Sequence, residues 1–229
     1  GLDEGIWLAA LAFGYDLIRD TLSAATRDAI EAGLLRPAAD LLAGYNVGRH
    51  NHQTYFNLGI GLTGFAIDEP RYVEHAVTRA GSGLLYQLGA SFTSDGFWYE
   101  GSAHYHFYAL EGLLGLAEAA QRNGFDPYSA PALRGAFDFP LAYADAAGRL
   151  PAFNDGPPAT LYDPGRARLY EIGYSRFGDA RYAALLAKVG RGSSYHGLIY
   201  GAPELPPANS FAPGQGQSTL LADRQLAIL

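Results

Sequence analysis

Cysteine is absent from the chain, which excludes disulfide bonds and any metal site built on thiolates. Positive charge is also scarce: 16 Lys and Arg stand against 23 Asp and Glu, for a formal net charge of −7 at pH 7. Nucleic-acid binding favours a basic surface, so we predict no nucleic-acid partner. An acidic sugar is not excluded, because a few local arginines can bind one.

Long apolar runs are missing too, since nothing approaches the roughly 18 residues that a membrane-spanning helix needs. No secretory signal pattern is visible, and residues 1–18 already have the character of the middle of a helix. We therefore expect these 229 residues to be an excerpt of a longer protein. No fixed-period repeat indicates a solenoid, and no G-x-S-x-G motif indicates a serine hydrolase.

What is present suits a folded domain with a core, because 48% of the residues are hydrophobic and 17% are charged. Apolar positions recur at helical spacing, and no strand pattern appears before Gly201. Ser23 is predicted to cap the second helix and Pro37 to interrupt or restart it. The predicted helices cover residues 2–18, 27–42, 55–67, 69–87, 130–146, 166–177 and 179–189, with a further helix that begins within 95–110 and ends near Asn123-Gly124.

Helical hairpins in series favour a mainly α fold, with helices stacked side by side in an arc or ring. Three glycines of the third helix, Gly59, Gly61 and Gly64, permit close contact with other helices, although glycine disfavours helix formation. Residues 201–229 have a different character, with a proline-rich linker followed by short strands at 218–222 and 225–229. Two strands alone are marginally stable, so we expect them to begin a β domain.

Three polar loops interrupt the helices, at residues 49–53, 95–106 and 149–163, and loops at one end of a helical ring can converge on one cleft. The second loop enters a helix, where free N–H groups favour anions. Tyr105 lies there between two histidines and could exchange protons with a bound acidic sugar. The alternative is that these side chains are half-buried and structural. The candidate site residues are Arg49, Asn51, His52, Gln53, Trp98, Glu100, His104, Tyr105, His106, Asn154 and Asp155.

The histidine pairs His50-x-His52 and His104-x-His106 do not have the spacing that puts two metal ligands on one helix face. No glutamate falls at a matching offset either. We therefore predict neither a metal ion nor a cofactor.

Three segments carry a family resemblance: RHNHQTYFNLGIG at residues 49–61, YEGSAHYHFYAL at 99–110 and LPAFNDG at 150–156. With the opening LDEGIWLAALAFGYDLI, they resemble the heparinase II/III-like polysaccharide lyases, most closely the heparinase III group. The resemblance implies an incomplete (α/α) toroid over residues 1–200, then a linker and the first strands of an antiparallel β-sandwich over 201–229. The rest of that β-sandwich would be the toroid's partner in the complete protein. The resemblance also implies a periplasmic or secreted location.

The same resemblance implies cleavage of a uronic-acid-containing polysaccharide by β-elimination. Tyr105 matches the catalytic tyrosine, and Asn51 matches the residue that neutralises the uronate carboxylate. His52 would assist, as a histidine does in related alginate lyases. The family also uses a histidine from the β-sandwich, which this chain does not place. The other candidates are assigned to substrate contact, and we expect Asn51, Tyr105 and Asn154 or Asp155 to line one cleft.

The chemistry explains the residue types. Removing the C5 proton beside a carboxylate builds a second negative charge, which a neutral amide or an imidazolium can stabilise. A tyrosine can protonate the leaving oxygen, and it can also take the C5 proton if neighbouring cations depress its pKa. Two alternatives stay open: a glycoside hydrolase on a similar toroid, using Glu100 with Asp155 or Asp95, and a non-catalytic domain that binds acidic sugars.

Overall fold

The structure is a computed structural model, and it describes residues 1–190, 195–201, 204–205, 219–221, 223 and 226–228. The described part is mainly helical, as predicted. Short non-α helical turns occur at Arg19–Thr21, Glu31–Leu35, Glu74–Thr78 and Pro127–Ser129. The helices are α1 Leu2–Ile18, α2 Ala24–Ile30, α3 Arg36–Ala43, α4 Asn51–Ala66, α5 Pro70–Val73, α6 Leu84–Ala90, α7 Ala103–Arg122, α8 Pro131–Tyr143, α9 Pro164–Ala167, α10 Leu169–Phe177, α11 Ala180–Val189 and α12 Tyr195–Ile199.

The chain divides into two compact units, which we call the first and second units. The first unit comprises Gly1–Ser91 and Glu111–Ser129, and the second comprises Phe92–Leu110 and Ala130–Leu229. Helix α7 therefore begins in the second unit and ends in the first. No helix in the described residues is both long enough and apolar enough to cross a membrane.

Helix α4 forms the core of the first unit, with most of its residues buried. Its glycines allow other helices to approach, as predicted: a Cβ added at Gly59 would lie 2.8 Å from the Gly5 carbonyl oxygen of α1. At Gly64 an added Cβ would lie 2.8 Å from the backbone nitrogen of Val73 on α5. Real Cβ atoms do not make such contacts with backbone, so the packing of α1 and α5 on α4 requires glycine at these positions.

The first unit differs from the prediction at two breaks in helical structure. Residues 69–87 were predicted as one helix, but α5 and the turn Glu74–Thr78 end at Arg79, and α6 starts at Leu84. Gly81 between them has a φ of +80°, and an added Cβ at Gly83 would lie 2.8 Å from the Arg79 nitrogen. Pro37 lies in the first turn of α3, directly after a π-helical turn, so the helical path is altered there rather than broken.

The core of the second unit is aromatic. Phe97 stacks on Phe139 of α8 with ring centroids 4.1 Å apart, and Tyr143 packs on both. Helix α8 continues through Pro140. Asp179 caps α11 by accepting a hydrogen bond from the Arg181 N–H, in agreement with the predicted start of that helix.

Two antiparallel strand pairs lie in the second unit. The first, β1 Arg149–Leu150 with β2 Ala159–Thr160, contradicts the prediction that no strand precedes Gly201. Strands this short give no periodic signal, and the pairing depends instead on contacts around Gly148, whose carbonyl accepts from the Leu161 N–H and the Thr160 hydroxyl.

The second pair confirms the predicted hairpin near the end of the chain. Strands β3 Thr219–Leu221 and β4 Leu226–Ile228 pair with Leu221 opposite Leu226. Between them, the Asp223 carboxylate accepts from the Ser94 N–H, and the Asp223 N–H donates to Asp95. Most of the predicted linker (202–203 and 206–218) and strand positions 218, 222, 225 and 229 lie outside the described residues. The toroid, the β-sandwich and the domain boundary near residue 200 stay predictions.

Candidate active site

Tyr105 lies in the first turn of α7, at the point where the predicted loop enters its helix. Its ring is half-buried, and its hydroxyl donates a hydrogen bond of 3.3 Å to the Asp155 carboxylate. The two residues are far apart in sequence, and both belong to the second unit. The predicted association of Tyr105 with Asp155 is therefore present in the structure.

Asp155 belongs to a loop that we call the clasp loop, residues 151–158, which joins β1 to β2. The clasp loop lies against the start of α7. Asn154 donates from its side-chain amide to the Glu100 carbonyl at 2.8 Å. Gly156 packs so closely that an added Cβ would overlap the Ser102 hydroxyl oxygen at 1.8 Å. Residues on both sides of Asp155 are thus fixed to the segment that carries Tyr105.

The electrostatics around Tyr105 favour the neutral phenol. The negative charge of Asp155 raises the pKa of Tyr105, and partial burial, the hydrogen bond to Asp155 and the charge of Glu100 act in the same direction. The sequence analysis required neighbouring cations that depress this pKa if Tyr105 were to act as a base. The described surroundings shift the pKa the opposite way, so the phenol of Tyr105 is held in its neutral form.

Two further candidates lie close to Tyr105. The half-buried ring of His104 has its centroid 5.5 Å from that of Tyr105, and it lies parallel to the ring of Tyr108 one turn later. The Glu100 carboxylate accepts from the Tyr99 hydroxyl at 3.3 Å, while its carbonyl holds Asn154. His104 and Asp155 thus contact Tyr105, Glu100 acts on it through its charge, and Asn154 is bonded to Glu100.

Three predicted substrate contacts are instead buried, and we correct their assignment. Trp98 is fully buried, with its ring edge-on to Phe92. Gln53 is fully buried. Its side-chain oxygen accepts from the Val47 N–H, and its side-chain amide donates to the Asn57 side chain. His106 is also buried, as described next. Each of these three side chains is at most 1% exposed and packs on or bonds to other segments of the chain, so we assign them to holding the fold together.

His106 links three segments of the second unit. Its Nδ1 accepts from the Trp98 N–H at 3.1 Å, so its Nε2 carries the proton and donates to the Ala136 carbonyl of α8 at 2.9 Å. Burial lowers the pKa of His106 to about 4. The ring is therefore neutral at neutral pH, and it does not supply the cation that a lowered tyrosine pKa would need.

The remaining predicted residues are in the first unit, at the start of α4. His50 caps this helix by accepting from the His52 N–H, and the two rings are 4.6 Å apart. His52 is half-buried, whereas Asn51 is only 4% exposed. Arg49 is exposed and donates to the Ala90 carbonyl. Because Asn51 and Tyr105 belong to different units, the expected shared cleft stays a prediction.

The sequence analysis missed Ser102, Gly156 and Phe153 as part of the site. Phe153 is 47% exposed in the clasp loop, which is unusual for a phenylalanine beside polar residues. The Asn-Asp-Gly run at residues 154–156 is a turn signal, and it could have indicated a tight turn in this loop. Among the described residues, no group of three or more His, Asp or Glu side chains is arranged to hold a metal ion.

Comparison with known proteins identifies the class. Residues 17–149, more than half of the chain, match the family model described as alginate lyase, so the chain belongs to the alginate lyase family. Tyr105 and Asn51 both lie within the matched residues.

Two relatives give the comparison more detail. The chain is 36% identical over 129 residues to an alginate lyase of Stenotrophomonas maltophilia strain K279a. It is 32% identical over 130 residues to an exo-oligoalginate lyase of Saccharophagus degradans strain 2-40. Each alignment covers 53% of this chain but only 17% and 18% of the respective relative. The chain thus corresponds to a small part of each of these proteins.

Proposed function

We propose that the protein is a polysaccharide lyase that cleaves a uronate polymer, alginate or an alginate-like chain, by β-elimination. Its family and the names of its two relatives support this substrate class. The observation that carries the proposal is the neutral Tyr105 phenol at the start of α7, hydrogen-bonded to Asp155. A general acid at this position supplies the proton that the leaving group of an elimination needs.

In the proposed reaction, the Tyr105 O–H bond breaks as its proton passes to the glycosidic oxygen. The bond between that oxygen and C4 breaks, and its electron pair stays on the oxygen. The electron pair of the C5–H bond forms the new C4=C5 double bond. Asn51 spreads the charge of the uronate carboxylate through its amide, which stabilises the transition state. His52, half-buried beside Asn51 in sequence, is the candidate to take the C5 proton. Arg49 and His104 are candidates for substrate contact.

The remaining features of the resemblance belong to the complete protein. We propose that the helices are part of an incomplete (α/α) toroid like that of the heparinase III group, and that β3 and β4 begin an antiparallel β-sandwich. A polysaccharide substrate fits a periplasmic or secreted enzyme. The predominance of helix and the hairpin at the end of the chain support this architecture.

The experiment is a comparison of Tyr105→Phe with the complete wild-type enzyme on a panel of acidic polysaccharides. Elimination yields an unsaturated uronate that absorbs in the ultraviolet, so both rate and reaction type can be followed. We expect kcat to fall about 10²–10⁴-fold because a proton donor is lost, with little change in KM. The fold should be retained, since only one hydroxyl is removed, worth about 1 kcal/mol.

Tyr86→Phe is the matched control, because Tyr86 is an exposed tyrosine of α6 in the first unit. It should keep wild-type turnover. Near-full activity of Tyr105→Phe would refute the assignment of Tyr105. Saturated products, with activity lost in Glu100→Gln, would establish the glycoside hydrolase alternative instead, and binding without new chain ends would establish a sugar-binding domain.

A further inference from the structure

The clasp loop is more constrained than most surface loops of its length. Its ends are paired as strands β1 and β2, with Arg149 opposite Thr160. Three of its residues are proline, at positions 151, 157 and 158, and each fixes one backbone angle. These features limit the conformations available to the loop before any contact with α7 is considered.

The tip of the loop is constrained separately. Asn154 has a φ of +58°, a left-handed conformation that asparagine tolerates better than most residues. Its side chain is bonded to the Glu100 carbonyl, and Gly156 has no room for a side chain beside Ser102. Asp155 lies between these two anchored residues, so its carboxylate is presented to the Tyr105 hydroxyl by the loop itself.

We propose that Asp155 is a positioning residue for the elimination: the clasp loop holds its carboxylate on the Tyr105 hydroxyl, which keeps the phenol protonated and in place until the glycosidic oxygen of the substrate replaces Asp155 as the acceptor of that proton. This proposal rests on the proposed function. It differs from the role that the sequence predicted for Asp155, which was contact with the substrate.

The charge of Asp155 helps to separate these two roles. A carboxylate repels an anionic polysaccharide, so a substrate-binding role for Asp155 would be electrostatically unfavourable. An ionised carboxylate only accepts hydrogen bonds, so the Tyr105 hydroxyl must be the donor between them. Its negative charge also opposes ionisation of the phenol, in agreement with the raised pKa of Tyr105.

The test compares kcat, KM and the pH profile of kcat/KM for the complete wild-type enzyme and Asp155→Asn, on an alginate chain. Asparagine keeps the size and one acceptor oxygen but removes the charge. We expect kcat to fall about tenfold at neutral pH because orientation is lost, without a rise in KM. The alkaline limb of the profile, where Tyr105 loses its proton, should move to lower pH. Substrate carboxylates ionise at acidic pH and do not contribute to this limb.

Two further variants complete the experiment. Gly156→Ala leaves the carboxylate in the chain but sets a Cβ 1.8 Å from the Ser102 hydroxyl oxygen and 3.0 Å from the Ser102 Cβ, so the contact of the loop with Ser102 must shift. We expect the alkaline limb to move in the same direction as in Asp155→Asn. Asp163→Asn is the matched control, because it removes the same charge at the cap of α9, where asparagine caps equally well. It should leave the profile of the wild-type enzyme unchanged.

The outcomes separate the two proposals. If Tyr105→Phe is inactive while the Asp155→Asn profile superimposes on that of the wild type, the lyase assignment stands and the positioning role is refuted. A rise in KM with an unmoved alkaline limb also refutes it, and makes Asp155 a substrate contact. If Tyr105→Phe is fully active in elimination, Tyr105 is not the proton donor, and the positioning role of Asp155 is refuted with it. Circular dichroism at alkaline pH checks that each variant remains folded where the limb is measured.

Discussion

His104 and His106 flank Tyr105 in sequence, but α7 directs their side chains to different surroundings. His104 is half-buried beside the Tyr105 ring, whereas His106 is buried among Phe97, Phe139 and the backbone groups that it bonds. Each residue turns a helix by about 100°, so residues two apart lie about 200° apart, on opposite sides of the axis, and the two imidazoles cannot act on one atom. His104 is therefore available to a ligand, and His106 supports the turn that precedes α7.

The burial of His106 predicts a dependence of stability on pH. Its pKa is about 4 in the folded protein and 6.5 in the unfolded chain. Between these values the unfolded chain binds more protons, so the free energy of unfolding decreases as pH falls from 6.5 towards 4. From pH 7.5 to pH 5 this group should account for about 2 kcal/mol.

Urea unfolding of the wild type and of His106→Gln at pH 7.5, 6 and 5 measures this contribution. Glutamine keeps a donor and an acceptor but does not titrate. The His106→Gln variant should be less stable than the wild type at pH 7.5, by about 1–3 kcal/mol. Glutamine cannot restore both buried hydrogen bonds of His106 together with the packing of its ring. The difference between the two proteins should shrink as pH falls. Parallel stability curves would show that His106 does not titrate as its burial implies.

Among the helices, α4 shows how glycine content sets the distance between elements. Gly5 of α1 and Gly59 of α4 face each other at a point where neither tolerates a Cβ against the backbone of the other helix. Asn51 and His52 lie at the start of α4, so the packing of α1 on α4 that glycine allows also positions the backbone of these two residues.

Gly59→Ala should destabilise the protein, although alanine favours helix formation over glycine by about 1 kcal/mol. The added Cβ would lie 2.8 Å from the Gly5 carbonyl oxygen, and backbone cannot yield as a side chain can. Overpacking of this kind costs about 1–3 kcal/mol. The matched control is Gly14→Ala on α1, where an added Cβ meets nothing within 4 Å. That variant should be stabilised, and equal thermal midpoints for the two would contradict the packing argument.

At the scale of the whole molecule, residues proposed for the reaction belong to both compact units. Asn51 and His52 are in the first unit, and Tyr105 and Asp155 are in the second. Helix α7 belongs to both, with its start, rich in aromatic residues and histidine, in the second unit and the remainder, which carries Glu111, Glu118 and Arg122, in the first. The family match spans parts of both units as well. The common site of Asn51 and Tyr105 therefore stays a prediction.

Asn51→Ala and Asn51→Asp test this in the complete enzyme. Removing the amide should lower kcat about 10²-fold, since the interaction is strongest in the transition state. Asn51→Asp keeps the size but sets a carboxylate against the uronate, so it should lower both kcat and substrate affinity. Steady-state kinetics with the ultraviolet signal of the unsaturated product measures both. If both variants retain wild-type kcat/KM, Asn51 has only a structural role at the start of α4.

The sequence by itself determined the features that depend on near neighbours. Helical periodicity placed α1 at its observed bounds, Ser23 and Asp179 cap the helices that follow them, and the entry of the Tyr105 loop into α7 agrees with the structure. The hairpin near the end of the chain was predicted from two short apolar runs. The class of the family, polysaccharide lyases, was also indicated, because the motif residues around Tyr105 and Asn51 are local, whereas the grouping with heparinase III stays a prediction.

Only the tertiary structure decided the surroundings of each site residue. Burial of Gln53, Trp98 and His106 depends on helices that pack from elsewhere in the chain, so the sequence assigned all three to substrate contact. The break between α5 and α6 and the hairpin of β1 with β2 depend on backbone contacts that leave no periodic signal. The acidic partner that raises the pKa of Tyr105 lies 50 residues further along the chain. The burial and the pKa of a side chain depend on the residues that surround it in space, and these cannot be identified from their separation in the sequence.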